Sequence, residues 1–154
     1  MIVGVHDAES ALMILRNEKA LFPLSTFAFG VAQSSQRELE QNIGAWVLFR
    51  DGRVQEIHEI HKRGLYGNTL LEKAKSALFG AYNIETRLQD VHIAFPELAA
   101  LVADFLLLDA KNEDATFELD NPELIAEKIR SAANADELFQ LISMPAPQDC
   151  LDVF

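Results

Sequence analysis

Apolar residues along this chain recur with the two periods that separate strands from helices, and the pattern changes several times between the ends. From Thr26 to Gln33 the residues alternate, with Phe27, Phe29 and Val31 on one side and small or polar residues between them, which is the period-2 signature of a strand. Ala45 to Arg50, Asp51-Gly52 and Arg53 to His61 read together as a β-hairpin over 45–61, because Asp-Gly supplies the positive φ angles of a tight type I′ turn. In the second arm Ile57 and Ile60 fall on opposite faces of an ideal strand, so the spacing predicts either a bulge or burial on both sides. Shorter strands are expected at Ile2 to Val5, towards the end of the Ile84 to Ala94 segment, and at Thr116 to Leu119.

Helical spacing and end signals mark the remainder. Asp7 stands as an N-cap before a helix carrying Leu12, Ile14, Leu15 and Leu21 and ending near Ala20, since Pro23 cannot continue it. Ser35 to Glu38 and Thr69 to Glu72 both have the capping-box pattern. The first predicts a short polar helix over 36–42, the second a helix through about Leu78 with Leu71, Ala74 and Leu78 turned inward. Pro96 suits the first turn of a helix from Glu97 to Leu108, whose stripe of Leu98, Leu101, Val102, Phe105 and Leu108 predicts the central helix of the core. Asn121-Pro122-Glu123 starts another helix to about Ala132, and Asp136 restarts a short one bearing Leu138, Leu141 and Ile142 before Pro145 and Pro147.

These elements imply an α+β fold: a mainly antiparallel sheet that includes the 45–61 hairpin, with helices packed on one side. The expected organisation is a single domain over 1–147 followed by a short C-terminal docking tail over 148–154. A length of 154 residues, 49% of them hydrophobic and 24% charged, suits one domain able to bury a core. The longest apolar stretch, Leu98 to Leu108, is interrupted by Asp104 and falls short of the roughly 20 residues of a membrane span. With no secretory pattern at the N-terminus, the chain reads as cytoplasmic.

Charge narrows the partners. Thirteen basic against 24 acidic residues give a formal net charge of −11, which disfavours nucleic acid and anionic membranes and favours a basic protein partner. The acids concentrate in one stretch, Asp104, Asp109, Glu113, Asp114, Glu118, Asp120, Glu123 and Glu127 against Lys111 alone, whereas 50–75 carries a basic excess. An acidic face of this kind speeds encounter with a basic protein.

Chemical motifs are sparse. His58, Glu59 and His61 are donor types for zinc, but residues three apart on a strand point to opposite faces unless a bulge intervenes, so no metal site is expected. Cys150, close to the C-terminus, reads as an apolar anchor of the tail rather than a nucleophile, and as the single cysteine it forms no internal disulfide. Ser35 is explained by helix capping, and neither Ser34 nor Ser35 lies in a Gly-x-Ser-x-Gly elbow. Glu56, Glu59, Asp104 and Asp109 are the carboxylates best placed by pattern for acid–base work. No glycine-rich phosphate cradle appears, so no cofactor is expected and no catalytic residue is assigned.

The residues therefore point to a non-enzymatic acidic protein-binding domain, an inhibitor or immunity protein for a basic toxin or nuclease. Asp109, Glu113, Asp114, Glu118, Asp120 and Glu123 would steer the partner, with Trp46, Tyr66 and Phe154 as aromatic anchors. The alternative is a small hydrolase in which His58, His61 or His92 meets a carboxylate such as Glu59. Homodimerisation through a hairpin edge or the C-terminal tail is compatible with either.

Overall fold

The computed structural model describes residues 10–25, 31–32 and 36–142. The expected strand at Ile2 to Val5, the cap at Asp7, most of the alternating segment, Ser34, Ser35 and the tail with Cys150 and Phe154 lie outside the described residues. Among the described residues six strands form one sheet in the order β2-β1-β4-β5-β6-β3, and every neighbouring pair is antiparallel. They are β1 (Ser10–Leu15), β2 (Ala20–Ser25), β3 (Val31–Ala32), β4 (Trp46–Phe49), β5 (Val54–Leu65) and β6 (Tyr82–Asp90). The described helices are α1 (Gln36–Glu40), α2 (Leu70–Phe79), α3 (Phe95–Ala110), α4 (Pro122–Arg130) and α5 (Ala135–Leu141). The architecture is α+β, as the alternation of element types predicts.

The helix expected before Ala20 is instead a hairpin of β1 and β2, joined by Arg16, Asn17, Glu18 and Lys19, with Lys19 in the left-handed region at φ 54°. Ala11 and Met13 enter the core on one face of the sheet while Leu12 and Ile14 enter it on the other. A strand buried on both faces loses its alternation, and a continuous apolar run of Ala, Leu and Met imitates a helix.

The 45–61 hairpin forms, but its turn differs in type. The Gly52 N–H donates to the Phe49 carbonyl at 3.0 Å and the Phe49 N–H to the Arg53 carbonyl at 2.9 Å, which encloses three loop residues rather than two. Only Gly52 among them has positive φ, at 95°, so Asp-Gly serves the three-residue turn with a left-handed glycine. Asp51 tightens it by accepting from the Arg53 backbone N–H and guanidinium. Burial pushes the Asp51 carboxyl up, and these contacts outweigh it to hold the group below its ordinary value.

Of the two alternatives the spacing of Ile57 and Ile60 left open, the bulge is the one that forms, at His58: Ile57 pairs with Leu88 and Glu59 with Arg87, leaving His58 as the extra residue. This shift of phase lets Ile57 and Ile60 enter the same core cluster, with Ala11, Met13, Val47, Phe49, Leu88 and Leu39 of α1. A second irregularity falls between Lys62 and Gly64. β6 begins at Tyr82 and ends at Asp90, so the strand sits earlier in the 84–94 segment than expected.

On the opposite face Leu12, Ile14, Leu21, Leu48 and Val54 meet α3, α4 and α5 through Leu98, Val102, Leu106, Ile129, Leu138 and Phe139. α3 is central, as its apolar stripe predicts: Leu98, Val102 and Phe105 are buried, but Ala99, Ala103 and Leu106 join them while Leu108 is 41% exposed. The reason is that α3 packs both on α4 and on β2, and small residues on its inner side permit close approach. No strand forms at 116–119; the Asp109 carboxylate accepts from the Thr116 and Phe117 backbone N–H groups instead, at 3.0 and 3.1 Å, and directs Phe117 into the core. α4 starts as predicted, with Asn121 Oδ1 accepting from the Leu124 N–H at 3.2 Å.

Candidate functional site

Helix α2 places its apolar residues outward. Thr69 and Glu72 form the capping box: the Glu72 N–H donates to Thr69 Oγ1 at 3.1 Å, and Glu72 Oε2 accepts from the backbone N–H groups of Asn68 at 2.7 Å and Thr69 at 3.0 Å. Those two N–H groups hold the Glu72 carboxyl below its ordinary value. Gly80, left-handed at φ 70°, ends the helix and donates to the Ser76 carbonyl.

Between these caps one residue of α2 is buried, Ser76, whose hydroxyl donates to the Tyr66 carbonyl. At 3.6 residues per turn, positions 70, 71, 74, 77 and 78 occupy about a third of the circumference, and position 76 lies opposite their centre. Leu70 is 87% exposed, Leu71 67% and Leu78 80%, with Ala74 and Ala77 also exposed. The stripe of Leu71, Ala74 and Leu78 expected to face inward therefore faces solvent. The one fully buried side chain of this helix, Ser76, fastens it to the body through a polar bond, while Phe79 is about half exposed.

Lys73 and Lys75 flank the stripe on its two sides, both exposed and neither in an ion pair among the described residues. Leu70, Lys73, Ala77 and Lys75 join this surface without a sequence pattern that singles them out. The available signal was the inner face itself, where Ser76 is too small and polar to anchor a core helix.

The acidic candidates lie on the α3–α4 connection and the start of α4. Asp109 is committed to the Thr116 and Phe117 backbone, so its role there is structural. Glu113, Asp114, Glu118, Asp120 and Glu123 are exposed and form no side-chain hydrogen bond or ion pair among the described residues. Asp104 pairs with Arg130 at 2.7 Å and ties α3 to α4.

The two described aromatic candidates are half-buried. Trp46 packs against the helix-side core, lies under the Arg16 guanidinium at 4.2 Å and donates from Nε1 to Glu56 Oε2 at 3.3 Å. Tyr66 contributes its backbone, accepting from Ser76 and donating to the Ala81 carbonyl at 3.2 Å.

Of the histidines, His61 Nε2 stands 3.6 Å from Glu59 Oε2, which Arg87 also approaches at 3.6 Å, while Arg63 pairs with Glu85 at 2.7 Å. These charges form a cross-strand ladder on β5 and β6, and His58 and His92 are exposed elsewhere. Among the described residues no group of three or more His, Cys, Asp or Glu side chains could hold a metal ion. A small cleft of about 60 Å³ lies between the β1–β2 turn and the loop before β4, lined by Arg16, Glu18, Gln41 and Ile43 among others. No helix among the described residues is long and apolar enough to cross a membrane.

No family model and no solved structure matches the chain. It is similar to the human Enhancer of mRNA-decapping protein 4, with 35% identity over 94 residues, 58% of this chain and 7% of that protein. The mouse protein of the same name is 36% identical over 92 residues, covering 57% of this chain and 6% of the relative. The likeness thus spans a small fraction of either relative's length.

Proposed function

We propose that this chain is a non-enzymatic protein-binding domain that contributes a protein contact to mRNA decapping. The observation that carries the binding role is the outward apolar stripe of α2, because contiguous apolar surface rimmed by polar residues marks interaction sites. The similarity to Enhancer of mRNA-decapping protein 4 supports the process. A protein that enhances decapping can act by holding other proteins together, and an exposed helix suits that task.

The acidic edge formed by Glu113, Asp114, Glu118, Asp120 and Glu123 supports a second contact, with a basic protein, and the inhibitor or immunity reading of the sequence rests on it. Five solvated carboxylates without partners among the described residues speed association with a cationic surface, and salt weakens that effect.

The test is co-purification from cell extract with the intact chain and with Leu71→Ser combined with Leu78→Ser. Both leucines are exposed, so the double variant should unfold within a few degrees of the parent. Retention of decapping proteins by the parent and their loss from the variant is the expected result. An unchanged set of retained proteins would refute the role given to α2.

A further inference from the structure

We infer that the surface of α2 receives an acidic amphipathic helix from a partner protein, a proposal that rests on the protein-binding reading above. The stripe of Leu70, Leu71, Ala74, Ala77 and Leu78 runs the length of a helix of ten residues capped at both ends, so the surface is preformed and offers a straight ridge. Its central positions are alanines, which allow a second helix to approach closely, and its ends are leucines, which fill the grooves of such a helix.

Charge decides the chemistry of the occupant. Lys73 and Lys75 border the apolar stripe on opposite sides, where flanking residues of paired helices meet, and acidic side chains on the partner's flanks would neutralise both. A second copy of this chain is the poorer occupant. An isologous antiparallel pairing of α2 with itself sets each lysine flank against the same flank of the other copy, so Lys73 meets Lys73 and Lys75 meets Lys75. The β2 edge of the sheet is also ill suited to self-pairing, because Pro23 lacks the N–H that a new strand would need.

The net charge of the chain does not forbid an acidic partner. At physiological salt, charges separated by more than about 8 Å are largely screened, so the lysines beside the stripe dominate over distant carboxylates. The apolar surface available on this helix and its partner is on the order of 1,000 Å² together, at the low end for specific complexes.

The test uses the full chain and two synthetic peptides of about 18 residues, long enough for a stable amphipathic helix. Both carry the same leucine stripe at i, i+3, i+4 and i+7; one has glutamate on both flanks and the other lysine. Fluorescence anisotropy should show the glutamate peptide binding at least tenfold more tightly, with Lys73→Glu plus Lys75→Glu reversing the preference and Leu71→Ser plus Leu78→Ser abolishing binding. Equal affinity for the two peptides, no binding of either, or binding that survives the leucine changes would overturn the proposal. So would sedimentation showing a dimer of the parent chain that the leucine changes dissociate, since that assigns the stripe to a second copy. Loss of the peptide interaction alongside continued, α2-dependent retention of decapping proteins would remove the acidic-helix inference and leave the protein-binding reading intact.

Discussion

The Ser76 hydroxyl donates to the Tyr66 carbonyl across the inner side of α2, opposite the ridge formed by Leu70, Leu71, Ala74, Ala77 and Leu78. The buried position of α2 is thus polar, and the ridge of leucines and alanines opposite it is left to solvent. Replacing Ser76 with alanine leaves the Tyr66 carbonyl without this donor in a largely buried place. The expected cost is about 1–2 kcal/mol, read as a shift of the denaturation midpoint with unchanged slope.

Gly67 should tolerate no side chain. Its φ is +122°, and a Cβ there would lie 2.6 Å from the Glu72 Cβ and 3.1 Å from the Glu72 carbonyl carbon. Those atoms belong to the first turn of α2 and cannot swing aside. Gly67→Ala is expected to destabilise by roughly 2 kcal/mol or more, while Gly52→Ala, also at positive φ but with open space around it, should cost less. Thermal unfolding of the two variants checks the order.

Two acids of α3 should behave differently although the sequence presents them alike. Asp109 accepts two backbone N–H groups that otherwise lack a partner in the turn before α4, so Asp109→Ala is expected to cost about 1–2 kcal/mol. Asp104 makes an exposed ion pair with Arg130, and Asp104→Ala should cost less than about 1 kcal/mol. Urea denaturation of both variants at low and at high salt would show the Asp104 effect shrinking with salt and the Asp109 effect persisting.

The start of α2 should loosen in acid. The Glu72 carboxyl is held below its ordinary value by the Asn68 and Thr69 N–H groups, so the folded form binds a proton more weakly than the unfolded form. Its stabilisation is present above the ordinary glutamate range of about 4.3 and is lost as pH falls through the lowered folded value. The protection of the Asn68 and Thr69 amides, taken relative to the intrinsic exchange rate at each pH, should fall between about pH 5 and pH 3, and Glu72→Gln should flatten that dependence. An equal loss of protection in the variant would assign the change to another group.

What the sequence determined by itself was the set of locally encoded features. The Thr69 and Asn121 caps, the 45–61 hairpin and the helix after Pro96 follow from contacts within a few residues, whereas the spacing of Ile57 and Ile60 left a bulge and burial on both sides as alternatives until the pairing with β6 chose the bulge. Only the tertiary structure decided the rest. Residues 11 to 14 became a strand because sheet partners and helices bury both of its sides, which erases the period that a strand reading needs. The orientation of α2 was likewise undecidable from its own pattern. An amphipathic helix records that it has an apolar side, but which way that side faces depends on what the body offers at the contact, here the Tyr66 carbonyl that binds Ser76. The candidate site was hidden for the same reason: an apolar stripe awaiting a partner and one packed into a core are written with the same residues, and only the fold distinguishes them.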